Sequence, residues 1–248
     1  GEAIEPQAIP LDIVHQDEAI IILDKPAGLV VHPAAGHADG TLVNALLHQD
    51  AGLILVPRAC IVHRLDKDTT GLMVVARNLT AHKHLVEALQ QREVVREYQA
   101  VVQGVITAGG TVDAPVGRHA RDRVRMCVRD DGKPATTHYR VISRFRQHTH
   151  VRLRLESGRT HQIRVHMQYI RHPLVGDAVY GGHQRIPPRA DQQLVEHLCG
   201  FPRQALHAFR LSLDHPRSGE SLSWSSSLPD DMVQLLAALE TDLQQRDD

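Results

Sequence analysis

The feature that most constrains this chain is a nine-residue polar block, His63-Arg64-Leu65-Asp66-Lys67-Asp68-Thr69-Thr70-Gly71, set between two apolar runs. Cys60-Ile61-Val62 precedes it, and the β-branched run Leu72-Met73-Val74-Val75-Ala76 follows it. Both flanks read as short buried strands, so the block is expected to be a loop held at each end by sheet. Such a loop can aim a carboxylate with little conformational freedom, which catalysis requires. Asp66 has Arg64 two residues before it and Lys67 directly after it, so charge partners are at hand. The ordinary reading of the same letters is a polar turn with a capping Asp and a closing Gly.

The rest of the chain reads as strands with a few helices between them. Residues 1–10 hold two prolines and few apolar side chains, and are read as a tail or linker. Residues 11–14 and 19–23 suit a β-hairpin, and Thr41 suits the N-cap of a helix over 42–48. Thr80 is the expected cap of a second helix reaching about Arg92. In the strand predicted over 94–102, Tyr98, Ala100 and Val102 share one face. Residues 117–133 are Arg-rich with little periodicity, which predicts a long hairpin or a mobile loop. A strand pair is expected over 134–145 and 150–156. Thr160 is expected to cap a helix over 161–171, with His161 and Arg164 in its first turn. Residues 181–189 read as a loop, 206–213 with 221–224 as a closing hairpin, and 232–243 as an amphipathic helix after Pro229. That alternation indicates an α+β protein, a mixed sheet with helices packed on it.

Bulk composition narrows the function. Apolar residues make up 42% of the 248, but aromatics only 3%, so the core must be built from Val, Leu, Ile and Ala. Cys60, Cys127 and Cys199 are odd in number and share no C-x-x-C spacing, which argues against a disulfide framework or a zinc ribbon and suits a reducing cytoplasm. No apolar run reaches eighteen residues, and no basic-then-apolar signal opens the chain, so no membrane partner is expected. Eighteen histidines invite a metal reading, yet His161 and His166 are five apart, His63 stands alone, and no H-E-x-x-H occurs. No metal site is expected from that spacing. The net charge of −1 conceals an asymmetry: residues 118–171 hold fourteen Lys plus Arg against four acids, a balance of +10, leaving −11 elsewhere. A basic face on an acidic body is the pattern of a nucleic-acid-binding protein. Arg118, Arg121, Arg123 and Arg125 are its densest stretch.

Several blocks together carry a resemblance. HRLDKDTTG with LMVVA, Arg96-Glu97-Tyr98, and Gly158-Arg159-Thr160-His161-Gln162-Ile163-Arg164-Val165-His166 resemble the motifs of the RluA family of pseudouridine synthases. The lead-in Asp24-Lys25-Pro26-Ala27-Gly28-Leu29-Val30-Val31-His32-Pro33 and the later His172-Pro173-Leu174-Val175-Gly176-Asp177 fit too, in the family's order. Their wording is most similar to members that act on large-subunit ribosomal RNA. The resemblance implies a catalytic domain over 11–248, with a mixed, mainly antiparallel sheet in two subdomains and flanking helices. Members often carry an S4 domain ahead of this point, and nothing here resembles one. The implied partner is large-subunit rRNA or its precursor particle, met by a cytoplasmic monomer.

The resemblance also implies roles. Asp66 is the active-site aspartate, Arg164 its ion-pair partner, Tyr98 the tyrosine that stacks on the target base, and Ile163 the apolar wall for the uracil. Arg64 fills the space that a flipped uridine vacates. On ordinary grounds Ile163 is helix core, Tyr98 strand core, and Arg64 a charge partner for Asp66. The isomerisation moves no electrons or phosphate, so no cofactor is expected. Attack at C1′, attack on the ring and removal of a sugar proton are all open to Asp66. Two other classes compete. A non-catalytic RNA-binding or ribosome-assembly factor would not need the aspartate, tyrosine and arginine together, and a hydrolytic glycosidase needs a second carboxylate, for which Asp68 is the only near neighbour.

Overall fold

The structure, a computed structural model, describes residues 3–247. In chain order the first elements are β1 (Asp12–Gln16), β2 (Ile20–Lys25), α1 (Leu42–Gln49), β3 (Thr70–Ala76), α2 (Leu79–Gln90) and β4 (Val95–Gln103). β5 (Gly110–Asp113), β6 (Val116–Arg118), β7 (Met126–Val128), β8 (Thr136–Arg144), β9 (His148–Leu155) and α3 (Gln162–Tyr169) follow. The chain closes with α4 (Gln192–Cys199), β10 (Leu206–Asp214), β11 (Ser221–Ser225) and α5 (Asp230–Asp247). All of the registered strand pairs are antiparallel. The expected α+β class with a mainly antiparallel sheet holds. Two compact units divide the chain, 1–96 with 208–226 and 97–207 with 227–248.

In the first unit the strands run in the order β1-β2-β3-β10, with β11 on β10. Ile20, Ile21, Ile22 and Leu23 are all fully buried, as are Met73, Val74, Val75 and Ala76. A strand covered on both faces reads as a continuous apolar run, and so these did. On one face Ile20, Ile22, Leu72 and Val74 pack with Ala81, Leu85 and Ala88 of α2 and with Leu211 and Leu213. Thr41 and Asn44 form a capping box at the start of α1. The Asn44 Nδ2 also donates to the Glu5 carbonyl at 2.8 Å, and Gln7 N–H donates to the Asn44 carbonyl at 2.9 Å. Residues 5 and 7 of the opening segment are thus bonded to the first turn of α1.

In the second unit the order is β4-β9-β8-β5, with β6 and β7 as a separate hairpin. Val101, Phe145 and Val175 form a core with Leu194 and Leu198 of α4 and with Met232, Leu235 and Leu239 of α5. A smaller core joins Val116, Ala135, Val165 and Tyr180.

Four local expectations are corrected. Residues 60–62 are not a strand: a 3-10 turn over Pro57–Cys60 leads in, with Arg58, Ala59 and Cys60 all at positive φ, and Ile61 makes one isolated bridge to Val75. Asn78, not Thr80, caps α2, its side chain accepting from Ala81 N–H. Thr160 does not cap α3; His161 occupies that place in a left-handed conformation. Helix α4 and strand β5 were not anticipated, although Asp191 as cap with Leu194 and Leu198 four apart was a legible helix signal.

Gly71 closes the polar block at φ +124°, and a Cβ there would lie 2.2 Å from the Ala208 carbonyl oxygen. Gly28 has φ +87° with no atom within 4 Å of a Cβ. Gly71→Ala should therefore cost about 3 kcal/mol or more, strain and overlap together. Gly28→Ala should cost only the backbone part, about 1–2 kcal/mol. Urea midpoints at unchanged slope measure both. Equal losses would contradict the close approach of β3 to β10.

Candidate active site

Asp66 lies half-buried in the loop before β3, in the first unit. That loop is held from beneath by a charge. Lys25, at the end of β2, is 1% exposed, and its Nζ donates to three carbonyls: Pro26 at 2.8 Å, Leu29 at 3.0 Å and Lys67 at 2.8 Å. An ammonium has three protons and no acceptor, so three converging carbonyls suit it. The Lys67 carbonyl also accepts Gly28 N–H at 2.9 Å, and the Asp66 carbonyl accepts Thr69 N–H at 3.0 Å. The D-K-P-A-G turn and the Asp66 loop are thereby one piece. Arg64 is exposed and makes no ion pair among the described residues, so it is not the charge partner for Asp66 that the ordinary reading supplied.

His63 opens the block with its Nε2 accepting the Val74 N–H at 3.0 Å. Its Nδ1 is buried without a hydrogen-bond partner among the described residues. Burial first, and the Arg96 charge second, push its pKa down to about 3. The imidazole is a neutral splice between the loop and β3.

In the second unit Tyr98 is 5% exposed on the inward face of β4, opposite Leu153 of β9, as the alternation predicted. Ile163 and Arg164 are buried in the first turn of α3. Two other residues of that block anchor the helix. The Gln162 amide group donates to the Thr136 carbonyl and the Thr137 hydroxyl, both at 3.0 Å, while its oxygen accepts Ser157 Oγ and Arg159 N–H. His166 Nε2 meets the Ala114 carbonyl at 2.8 Å, so Nε2 carries the proton and Nδ1 accepts the Thr137 hydroxyl at 2.8 Å. Gln162, Thr137 and His166 form one satisfied chain, which fixes the turn on which Arg164 stands.

Arg164 sends Nε to Asp177 Oδ2 at 2.7 Å and Nη2 to Oδ1 at 3.0 Å. Asp177 Oδ1 also accepts Val179 and Tyr180 N–H, each at 3.0 Å. Burial alone would raise the Asp177 pKa, but Arg164 and the two amides outweigh it and hold the carboxyl below its ordinary range. Asp177 and Tyr180 received no role from the sequence, although Asp177 closes one of the family-like blocks.

Arg118, Arg121 and Arg123 are exposed on the β6–β7 hairpin, and Arg121 and Arg123 carry no side-chain bond among the described residues. Arg118 Nη1 donates to the Arg123 carbonyl at 3.0 Å. Arg125 is different: it is half-buried, donates to the Val179 carbonyl at 2.6 Å and lies 5.5 Å from the Tyr180 ring centroid. Among the described residues no group of three or more His, Cys, Asp or Glu could hold a metal ion, and no helix is long and apolar enough to cross a membrane.

Residues 19–169 match the family described as RNA pseudouridylate synthase. The chain belongs to that family. It is similar to the ribosomal large subunit pseudouridine synthase D of Pseudomonas aeruginosa, 63% identical over 236 residues, covering 95% of this chain and 74% of the relative. The Escherichia coli K12 protein of the same description is 58% identical over 244 residues, with 98% and 75% covered. A solved structure of human RNA pseudouridylate synthase domain containing 4 matches with a TM-score of 0.69 at 27% identity, over 92% of this chain and 93% of that one. The protein is an RNA pseudouridine synthase, an isomerase, and the non-catalytic and glycosidase readings fall away.

Buried neutral histidines make a pH prediction. His63 is held down at about 3, and His148 and His150 at about 4, in each case chiefly by burial, from an ordinary value of 6.5. Below 6.5 the unfolded chain binds protons that the folded one refuses, so their contribution is complete above that pH. It is lost as pH falls, down to about 4 for two of them and about 3 for His63. Each contributes up to about 1.4 kcal/mol per pH unit within its window. Unfolding free energies from urea titrations should fall steadily from about pH 7 to pH 5, and a flat profile would contradict the assignment.

Proposed function

We propose that the protein converts uridines of large-subunit ribosomal RNA to pseudouridine, with Asp66 as its catalytic carboxylate. The observation that carries the substrate is the 63% identity to a relative named for the ribosomal large subunit, spread over 95% of this chain. The RluA-family resemblance of HRLD carries the aspartate.

The reaction breaks the bond from N1 to C1′, turns the freed uracil, bonds C5 to C1′, and removes the C5 proton while N1 takes one up. It balances without an oxidant, metal or phosphate donor, so the reading needs no cofactor. Asp66 acts at the sugar or the ring; Tyr98 offers a buried ring for the base and Ile163 an apolar wall. Arg164 is assigned as partner of the Asp66 carboxylate, and its fork on Asp177 supports this because it removes rotamer freedom from the guanidinium in advance. A stacked uridine cannot present C1′ and C5 together, so the base must leave its stack, at a cost of roughly a few kcal/mol. Arg64, exposed and without an ion pair among the described residues, fits the role of filling the vacated place. Arg118, Arg121 and Arg123 fit phosphate contacts. The same reading takes the protein as a cytoplasmic monomer acting on rRNA or its precursor particle.

Asp66→Asn should lower pseudouridine formation by at least ~10³-fold, the scale at which loss of a covalent or acid–base group is felt, with RNA affinity nearly intact. Turnover is compared on precursor or assembled large subunits, isolated rRNA stem-loops and bulk tRNA. Large-subunit RNA should be preferred; tRNA as best substrate would overturn the specificity but not the enzyme class.

Neutralising Arg121 and Arg123 together should weaken binding to every RNA. The slope of log affinity against log salt should flatten by about 1.4, at roughly 0.7 for each single-strand phosphate that is no longer neutralised. An unchanged slope would show that both face only solvent.

A further inference from the structure

We infer that Tyr180 is a positioning residue, which holds the basic β6–β7 hairpin and the Arg164 guanidinium in one fixed relation within the second unit. The inference rests on the proposed function, in which Arg164 serves the chemistry and the hairpin contacts RNA.

Tyr180 is 1% exposed, and both ends of its side chain are engaged. Its hydroxyl oxygen accepts Met126 N–H at 2.8 Å, the first residue of β7. The same oxygen lies 2.6 Å from His161 Nδ1, in the residue that leads into α3. With the amide on one lone pair, the oxygen still has a proton to give to Nδ1 and a lone pair to take one from it, and either way the hairpin backbone is joined to the start of α3 through one oxygen atom. Two guanidiniums lie over the ring, Arg164 with its Cζ 5.0 Å and Arg125 with its Cζ 5.5 Å from the centroid. Two cations attracted to one π-system within a buried site are held more firmly than at a surface. Beneath, Asp177 Oδ1 receives Tyr180 N–H, so the tyrosine is fixed by the carboxylate that orients Arg164. Arg125 closes the circuit from the hairpin side by its bond to the Val179 carbonyl.

The two ends of the side chain therefore divide the work. The hydroxyl places the hairpin, and so governs how RNA is gripped. The ring places Arg164, and so governs the chemical step once RNA is bound. A tyrosine of merely structural value would lower the folded fraction and change neither KM nor the single-turnover rate of the folded enzyme.

Tyr180→Phe removes only the hydroxyl. KM for large-subunit RNA should rise about 3- to 10-fold, the effect of losing the bond that holds the Met126 amide of the hairpin, with the single-turnover rate on bound RNA within about two-fold of the parent. Tyr180→Leu removes the ring as well, and that rate should fall about ten-fold further, the scale of a desolvated cation–π contact. Restoring the ring as Phe at the same position should recover the rate but not KM. Thermal melts of both proteins set the folded fraction against which rates are expressed. A Phe variant with parental KM, or one in which rate and KM change together, would overturn the inference, and this holds even if the Leu variant does not fold. Asp66→Asn is assayed alongside. If that variant turns over freely, the catalytic reading itself fails. If it is inactive while Tyr180→Phe behaves as the parent, only the role of Tyr180 is lost.

Discussion

The second unit depends on a carboxylate with no exposed side-chain surface. Asp177 is removed from water, which for an unpaired anion would cost several kcal/mol or more. Four donors offset the loss: two guanidinium N–H groups of Arg164 and the amides of Val179 and Tyr180. A carboxylate so surrounded tolerates little displacement of any donor, because a buried charge left short of one partner costs far more than a surface charge does. The backbone has to conform. Gly176, immediately before, adopts φ +78°, and a Cβ there would sit 2.0 Å from the Arg203 carbonyl oxygen. The ion pair thus fixes three things together: the rotamer of Arg164, the turn from Leu174 to Tyr180, and through Tyr180 the hairpin.

The first unit solves the complementary problem with the opposite charge. Lys25 is a buried cation among carbonyls, as Asp177 is a buried anion among N–H groups. In both places the charge holds irregular backbone beside a residue assigned to the chemistry, Asp66 in one case and Arg164 in the other. Loops carry few mutual apolar contacts, so directed polar bonds have to supply the stiffness that packing supplies to strands. His63 adds a neutral version of the same device, reaching from the polar block to the Val74 amide.

These features explain what the sequence disclosed. β2 and β3 were legible because strands buried on both faces leave an unbroken apolar signal, and β4 because Tyr98 and Ala100 alternate with half-exposed Glu97 and Gln99. Residues 60–62 carry the same apolar letters, but Arg58, Ala59 and Cys60 itself all stand at positive φ, and composition does not report φ. The cap of α3 was misplaced for a related reason. Thr160 is a favourable cap type, yet helix entry here is set by Gln162 gripping β8, a contact between residues 25 and 26 apart in the chain. Motif order marked where Asp66 and Arg164 stand, whereas the residues that hold them, Lys25 and Asp177, were legible only as letters in a block. Their roles depend on which carbonyls and amides converge, which is a property of the folded backbone.

The same distinction changes the electrostatic argument. Counting charges over 118–171 treats fourteen cations as one basic face. Many of them are committed to the fold: Arg129 to Asp131 and the Arg118 carbonyl, Arg144 to the Ile106 and Thr107 carbonyls, Arg146 to Asp242, Arg152 to Glu97, and Arg159 to the Pro134 carbonyl. Arg125 and Arg164 are likewise engaged, at Val179 and Asp177. A guanidinium bonded to a carbonyl keeps its charge and adds to the long-range field, but it is not free to follow a phosphate. Arg121, Arg123, Arg140 and Arg154 are exposed and carry no side-chain bond among the described residues. Arginine-rich composition therefore serves two ends in this unit. One set keeps its guanidiniums exposed at the surface, and the other replaces, with directed bonds, the cohesion that a chain with only 3% aromatic residues cannot draw from large rings.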